Sequence, residues 1–465
     1  MARSLITQLL ALGCLLTVFL AYAPATLAEE TPGAAPPAAP AAPAEAAPSE
    51  APPAAAPASA KPPQHLGVVT CAGSTCHGAV SPSPEASVNQ NEYVVWQQKD
   101  LHAKAYKVLT NERSKRIARN LGLKDPAQEK VCLDCHADNI PADMRGKRFQ
   151  MSDGVGCEAC HGGSENYLGP HATGNKTHAQ NIADGLYPSE QPEARARLCL
   201  SCHLGSDDKF TTHRIMGAGH PRLSFELDTY TAIQPAHYKV DADYLKRKQS
   251  PADAQVWAVG QLMAAEQFLS LMTSGKYQGV GPWPELSFYD CHGCHRPLTE
   301  QRWTSRQMTE ALGPGVVSLN DSSFLIVEAI AQRLAPGSAG GYRQAIENLH
   351  KASIEDRGSL RAAAERLLDQ TQRLRALVAG RSLTQEDLRA TLRGLLATAQ
   401  TGEYDSYVAA EQFTMAADAI RTSLGAAGSA LKPAMDGLYV ALKSQDRFDP
   451  AAFRAALRPL AAKLN

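Results

Sequence analysis

Ten of the chain's 11 cysteines fall into five pairs, and a histidine directly follows every pair. C-x-x-C-H is the attachment motif of c-type haem, in which two thiols form thioethers with the haem vinyl groups and the histidine binds the iron. The pattern predicts five covalent haems, with His77, His136, His161, His203 and His295 as proximal iron ligands. The thioethers are predicted at Cys71, Cys76, Cys132, Cys135, Cys157, Cys160, Cys199, Cys202, Cys291 and Cys294.

Other uses of paired cysteines explain less of this pattern. Structural zinc takes two cysteine pairs per metal and needs no histidine after each. A thioredoxin-like site uses one C-x-x-C in a βαβ unit, and disulfides leave the histidines unexplained. The first motif has four residues between its cysteines where the other four have two, so a Cys71–Cys76 disulfide stays open as the alternative there.

Nine histidines lie outside the motifs, and seven of them fall between residues 100 and 300, among the predicted haems. We predict that distal iron ligands come from His102, His171, His213 and His220. His213 and His220 flank a segment with two glycines, which let the backbone approach a flat cofactor closely. The other five histidines rank below these, in the order His237 and His292, then His65 and His178, then His350. Bis-histidine ligation suits low-potential electron transfer.

The first 28 residues have a single early charge, Arg3, then an apolar run from Leu5 to Ala23 and small residues at Thr26-Leu27-Ala28. This order predicts a secretory signal peptide over residues 1–28 and a periplasmic or otherwise exported protein. An uncleaved membrane anchor is the alternative, and Leu12-Gly13-Cys14 leaves a lipoprotein site as another. Residues 29–64 are rich in Ala and Pro and predict an extended linker.

Helical periodicity replaces cysteine motifs after residue 300. We predict helices over 322–334, 341–353, 358–379, 384–400, 406–424, 429–444 and 450–463. The expected fold is mainly α, with a loop-rich pentahaem cytochrome c domain over 65–300, organised by its haems, and a C-terminal helical bundle over 301–465. The bundle could cover the haem domain, bind a partner or stabilise the fold.

The chain's 46 Lys and Arg nearly balance its 47 Asp and Glu, which argues against a basic nucleic-acid-binding protein. Propionates of the predicted haems would add negative charge. We therefore expect the partners to be redox proteins of the cell envelope, small and basic ones in particular. Membrane association is expected only through an uncleaved N-terminus, and the oligomeric state stays unknown.

Three stretches resemble the multihaem cytochrome c-554 family: Tyr93-x-x-Trp96-x5-His102-Ala103-x-Ala105, the motif ending at His136, and Gly154-Val-Gly-Cys157-Glu-Ala-Cys160-His161-Gly162. The likeness covers about residues 66–222, and the family shares its haem arrangement with hydroxylamine oxidoreductase and pentahaem nitrite reductases. It implies stacked haem pairs, His102 as distal ligand of the His161 haem, His171 as that of the His77 haem, and an open iron at His136. The spacing of the first motif, the fifth motif and the helical tail depart from the family pattern.

Two functions follow from these patterns. The favoured one is a periplasmic multihaem cytochrome that relays electrons through about five mostly bis-His haems. The alternative is an oxidoreductase that acts on a small nitrogen or sulfur compound at a haem with an open coordination site. No catalytic residue is indicated, and the C-x-x-C-Lys motif of the nitrite reductases is absent from the sequence.

Overall fold

The computed structural model describes residues 61–84, 88–248, 250–277, 283–295 and 306–464. These residues form α-helices, short 3-10 helices and connecting loops, and among them there is no β-strand, only three isolated bridges. The mainly helical fold is therefore confirmed. The predicted signal peptide and most of the Ala/Pro-rich linker lie outside the described residues.

The part of the chain that carries the first four motifs is built from short helices. The α-helices are α1 Glu92–Lys99, α2 Ala105–Leu109, α3 Glu112–Leu121, α4 Lys130–His136, α5 Cys157–His161, α6 Leu168–Thr173, α7 His178–Ala183, α8 Pro192–His203, α9 His213–Gly217, α10 Leu227–Ile233 and α11 Ala242–Arg247. The 3-10 helices are Val68–Thr70, Leu101–Lys104, Ala142–Met144 and Met151–Asp153. Three of the motifs form the last turn of a helix, so that α4, α5 and α8 each end on the motif histidine.

The apolar spacing of residues 91–119 predicts a single helix, but this prediction is wrong, because the stretch breaks into four pieces. The first break lies at Asp100, whose backbone is extended and whose carboxylate accepts a hydrogen bond from the backbone N–H of His102. An aspartate that caps the next turn in this way competes with the continuing helix. A second cap, Asn111, begins α3 by accepting from the backbone N–H of Ser114.

Longer helices follow from residue 253 onwards. They are α12 Asp253–Thr273, α13 Cys291–Cys294, α14 Ser322–Leu334, α15 Pro336–Ala352, α16 Arg357–Ala379, α17 Gln385–Gln400, α18 Tyr407–Ser423, α19 Ala426–Ser429, α20 Lys432–Ala441 and α21 Pro450–Leu464, and the 3-10 helices are Gly275–Tyr277, Leu286–Phe288, Gln307–Leu312 and Gln445–Arg447. The helices predicted for the tail are present with ends that shift by a few residues, except that 429–444 begins as the separate turn α19. Thr384 caps α17 in a capping box, and the Asp449 carboxylate accepts from the N–H of Ala451 at the start of α21.

The large apolar core belongs to this second set of helices. Trp257, Leu262 and Met272 of α12 lie in one buried cluster with Phe324 of α14 and Phe413 of α18. The packing of α12 therefore makes it part of the bundle, although it precedes residue 300. The limits of the two domains, 65–300 and 301–465, stay predictions. No helix in the described ranges is both long and apolar enough to span a membrane.

Candidate haem-binding histidine pairs

Ten histidines form five side-by-side pairs, and each pair joins one motif histidine to one histidine outside the motifs. The distances between ring centroids fall in a narrow range, from 6.0 to 6.3 Å. The pairs are His77–His171 at 6.0 Å, His136–His220 at 6.3 Å, His161–His237 at 6.3 Å, His203–His102 at 6.1 Å and His295–His213 at 6.2 Å.

This spacing fits two imidazoles on opposite sides of one iron. A metal-bound imidazole nitrogen lies about 2 Å from the metal and about 1.2 Å from its own ring centroid, so two axial rings have centroids about 6.3 Å apart. Rings that touched each other directly in the stacked arrangement would sit closer together, as His203 and Phe225 do at 4.7 Å. The residues present therefore fit bis-histidine haem at all five motifs.

The second ring nitrogen of several paired histidines is already engaged. Nδ1 of His77 bonds to the Glu92 carboxylate at 2.9 Å, and Nδ1 of His102 to the Asp100 carboxylate at 2.9 Å. Backbone carbonyls take the same role for two others, Ala105 O for His136 at 3.1 Å and Pro221 O for His220 at 2.7 Å. An Nδ1–H donor of this kind fixes the tautomer that leaves Nε2 to a metal.

Three histidines outside the pairs show the opposite arrangement. His178 uses Nε2 to contact the Glu190 carboxylate at 2.8 Å, and His350 uses Nε2 to contact Asp321 at 3.0 Å. His292 contacts the backbone carbonyl of Gln445 through Nε2 at 3.3 Å. In these three histidines, a protein partner contacts Nε2, the nitrogen that an iron ligand would need.

His65 is the remaining histidine. Its Nδ1 contacts Asp138 at 2.7 Å, and its side chain is buried. Burial would lower the pKa of His65, but the hydrogen bond to Asp138 and the negative charges of Asp138 and Glu158 together outweigh burial and raise it.

The predicted distal ligands are all placed opposite motif histidines, although iron binding itself stays a prediction. His171 faces His77, as the family likeness implied. His102 faces His203 rather than His161, which is paired with His237, and His136 faces His220 where the likeness implied an open iron. His237, which the sequence ranks below the four predicted distal ligands, lies opposite His161, and residues 234–237 have neither a glycine nor a motif to mark it.

Burial lowers the pKa of some of these imidazoles, and hydrogen bonds to carboxylates raise the pKa of others. Burial lowers the pKa of His161 and of His203 to about 4, so both rings are neutral at physiological pH, as iron ligation requires. The hydrogen bond to Glu92 raises the pKa of His77, and the one to Asp100 raises that of His102. Burial would raise the pKa of Asp100, but hydrogen bonds from His102 and Gln234 outweigh it and lower the pKa to about 2.

One cavity of about 1960 Å³ is lined by three of the five pairs, those of His77, His161 and His203. A pocket for a single small ligand typically measures about 300–1,000 Å³. The cavity therefore has room for several flat cofactors side by side. The thiols of Cys71, Cys76, Cys157, Cys160, Cys199 and Cys202 line it as well.

Cysteines of different motifs meet in this region. The thiols of Cys71 and Cys157 lie within hydrogen-bonding reach of each other, as do those of Cys135 and Cys202. Cys199 lies close enough to Cys160 to help raise the pKa of that thiol to about 12, although burial is the larger cause. No disulfide joins any of the ten motif cysteines, and Cys71 and Cys76, for which a disulfide is the alternative, are not bonded to each other.

Glu158, inside the third motif, anchors the chain segment that precedes the first motif. The buried carboxylate accepts hydrogen bonds from the backbone N–H groups of Leu66, Gly67 and Ser164 and from the Ser164 hydroxyl. Gly162 ends the same short helix with φ 77°, and a Cβ there would lie 2.4 Å from the carbonyl oxygen of Gly185. These contacts hold the first and third motifs together.

The bundle contacts the histidine-rich part of the chain through residues 222–225. The Arg222 guanidinium donates to both Glu411 carboxylate oxygens on α18, at 2.8 and 2.9 Å, and the Ser224 hydroxyl donates to Glu411 at 2.7 Å. Phe225, next in the chain, stacks on the His203 ring. The fifth motif is held similarly, because His292 is buried against Tyr407 and Phe448 of the bundle.

Comparison with known proteins gives two findings. The family model for cytochrome c554 and c-prime matches residues 70–162, which contain the first three motifs. Cytochrome c-554 from Nitrosomonas europaea is 31% identical over 118 residues, which cover 22% of this chain and 48% of that protein. The chain thus spans about half the length of this curated relative, and no solved structure matches. Both findings place the likeness among c-type cytochromes.

Proposed function

We propose that this chain is an electron-relay cytochrome with five covalent haems, each held between two histidines. The observation that carries the proposal is the set of five imidazole pairs with centroids 6.0 to 6.3 Å apart, each containing one motif histidine. Haem bound at these positions would supply an iron that alternates between the ferric and ferrous states. Such a chain transfers electrons without binding a substrate.

The chain's own residues would hold each haem in the same way. The two cysteines of a motif would hold the haem covalently, and the motif histidine and its paired histidine would be the ligands of its iron. Carboxylates or carbonyls on Nδ1, such as Glu92 and Asp100, orient the rings and increase their basicity. Increased basicity favours the ferric state and lowers the reduction potential.

The arrangement of the attachment sites supports a continuous relay. Cys71 lies beside Cys157, Cys160 near Cys199, and Cys202 beside Cys135, so the order in space is first, third, fourth and second motif. His213 and His220 belong to the same short segment around α9 and serve the fifth and second pairs. We infer that the fifth haem continues the series beyond the second.

The enzyme alternative needs an iron without a protein ligand on one side. The family likeness implies that the iron at His136 is open. However, the centroid of the His220 ring lies 6.3 Å from that of His136, the spacing expected for two ligands of one iron. The electron carrier is therefore the better-supported function. We also propose export to the periplasm, where c-type haem is attached, on the strength of residues 1–28.

Haem stoichiometry and spin state test this function together. Intact mass of the mature holoprotein should correspond to five haems and to a chain that begins near residue 29. EPR of the oxidised protein should show low-spin haem only, and cyanide or nitric oxide should leave the spectrum unchanged. A stoichiometric high-spin haem that binds nitric oxide would contradict the relay and favour the enzyme.

A further inference from the structure

A strongly basic surface covers the second histidine pair. Residues 107–125 contain six of the chain's 46 Lys and Arg but only two of its 47 Asp and Glu, so the rest of the chain has 40 basic and 45 acidic residues. The six residues are Lys107, Arg113, Lys115, Arg116, Arg119 and Lys124, and all six side chains are exposed. We call this set the α3 basic surface.

The charges of the α3 basic surface are largely uncompensated. Lys115 pairs with Glu112 at 2.9 Å. Within the described ranges, Lys107, Arg116, Arg119 and Lys124 have no ion-pair partner. Buried Ser114 and Ala118 anchor the opposite face of α3, so the cationic side chains point outwards by helical geometry.

Contacts tie this surface to the second pair in particular. Arg113 donates to the Gly219 carbonyl at 3.0 Å, and Asn120 donates to the Ala218 carbonyl at 3.0 Å, directly before His220. On the other side of the pair, His136 bonds to the carbonyl of Ala105 in α2. Gly219 and Pro221, which flank His220, are both exposed. The second iron site therefore lies just beneath the α3 basic surface.

Two exposed apolar side chains sit among the charges. Val108 on α2 is 44% exposed, and Val131, next to Cys132 on α4, is 48% exposed. α2 packs against both α3 and α4, so Val108 lies on a helix that contacts α3, and Val131 lies on the other helix that α2 contacts. A small apolar centre with a charged rim is the composition of transient protein interfaces, and redox encounters lie at the small end of that range.

We propose that the α3 basic surface is the docking site for an acidic electron-transfer protein, which exchanges electrons with the chain at the second haem. The proposal rests on the function proposed above, because it needs a haem at His136 and His220. Charge complementarity identifies the partner: cations concentrated over one iron site steer an anionic protein to that site and accelerate association by about 10- to 1,000-fold at low salt. The expectation from net charge alone was a small basic partner, and the local distribution of charge favours the opposite.

Stopped-flow reduction by a plant-type [2Fe–2S] ferredoxin, a small acidic donor, tests the proposal on the full holoprotein. The variant Arg116→Glu/Arg119→Glu changes two exposed residues that contact neither histidine. We expect its second-order rate constant at low ionic strength to fall at least tenfold, and its decrease with added salt to flatten. The matched control, Lys351→Glu/Arg366→Glu, makes the same change in charge at exposed positions of α15 and α16 and should stay within twofold of the wild type.

Equal rates in wild type and Arg116→Glu/Arg119→Glu, or equal slowing in both double variants, would overturn the docking site. So would faster exchange with basic mitochondrial cytochrome c than with ferredoxin at low salt. Binding to phosphatidylserine vesicles that needs Arg116 and Arg119, with unchanged ferredoxin rates, would assign the surface to a membrane instead. Dithionite reduction of all five haems in each variant separates these outcomes from failure of the relay itself.

Discussion

Apart from His65, which bonds through Nδ1 but lies outside the five pairs, the ring nitrogen that contacts a carboxylate or carbonyl distinguishes four of the paired histidines from those outside the pairs. His77, His102, His136 and His220 bond through Nδ1 to a carboxylate or carbonyl, and each ring lies opposite another imidazole. His178, His292 and His350 commit Nε2 to a carboxylate or carbonyl. Residue identity is the same in both classes, so the difference comes wholly from the neighbours that the fold supplies.

Replacing His237 should open one iron. If His237 binds the third haem as proposed, His237→Ala removes its sixth ligand, so EPR should show one high-spin haem and cyanide should bind to it. His178→Ala is the matched control, because His178 also lines the cavity but bonds through Nε2 to Glu190. Its haems should all stay low-spin. A low-spin His237→Ala protein would show that another side chain binds the third iron.

Asp100 should set the potential of the fourth haem. Asp100→Asn removes the carboxylate from Nδ1 of His102, makes this imidazole a weaker donor and should raise one haem potential by about 40 mV, or about 1 kcal/mol for one electron. Asp138→Asn breaks a similar Asp–His contact on His65, which is not paired with a motif histidine. Spectropotentiometric titration should show one shifted haem in the first variant and none in the second.

A buried ionic cluster joins several elements where the bundle begins. Arg306 contacts Asp321 at 2.9 Å and the Glu403 carboxylate at 3.3 Å, and His350 of α15 contacts the same Asp321 oxygen at 3.0 Å. Asp321 precedes α14, and Glu403 lies between α17 and α18. The cluster therefore links the start of α14, α15 and the loop between α17 and α18. It also pairs buried charges, which would be strongly destabilising if left unpaired.

Asp321→Asn should be strongly destabilising, by about 3–5 kcal/mol, because it leaves Arg306 buried with one carboxylate fewer. The Asp321 pKa is lowered to about 2, since Arg306 and His350 outweigh the opposing effect of burial. The wild-type contribution is thus complete above about pH 4 and is lost as the pH falls towards 2. Denaturation curves should show that the difference between the two proteins shrinks below pH 4. Asp369→Asn, at an exposed pair with Arg373, should leave the midpoint nearly unchanged.

Across the whole molecule, the five pairs divide by the angle between their ring planes. The ring planes of His77–His171 and His213–His295 are closer to parallel, at 12° and 32°. The other three pairs are nearly perpendicular, at 85°, 84° and 88°. Axial rings in one plane split the iron d orbitals that overlap with them, whereas perpendicular rings leave those orbitals almost equal in energy.

EPR of the oxidised holoprotein should therefore contain two classes of low-spin signal. Two haems should give ordinary rhombic signals, and three should give strongly anisotropic signals with a large maximal g value. Redox titration followed by EPR counts the haems in each class. Five rhombic signals would contradict the ring orientations.

The sequence was sufficient for features that depend on local spacing. The motif positions and most tail helices could be predicted because C-x-x-C-H and the 3.6-residue period are short-range patterns. The pairing of His102 with His203, 101 residues later, could not be predicted, because it depends on how the loops between them fold. The same limit applies to α12, whose place in the bundle core depends on partners more than 50 residues away.

The burial of His292 between Tyr407 and Phe448 bears on how the holoprotein matures. Covalent attachment needs the thiols of Cys291 and Cys294 to be accessible to haem and to the machinery that delivers it. Tyr407 and Phe448 lie more than 100 positions after His292, yet they bury only that histidine: Cys294 is exposed and Cys291 is half-buried. The thiols of the fifth motif therefore stay within reach of haem after the end of the chain has packed against His292. Attachment at this motif does not require the bundle to open, so cofactor loading and bundle folding need no fixed order.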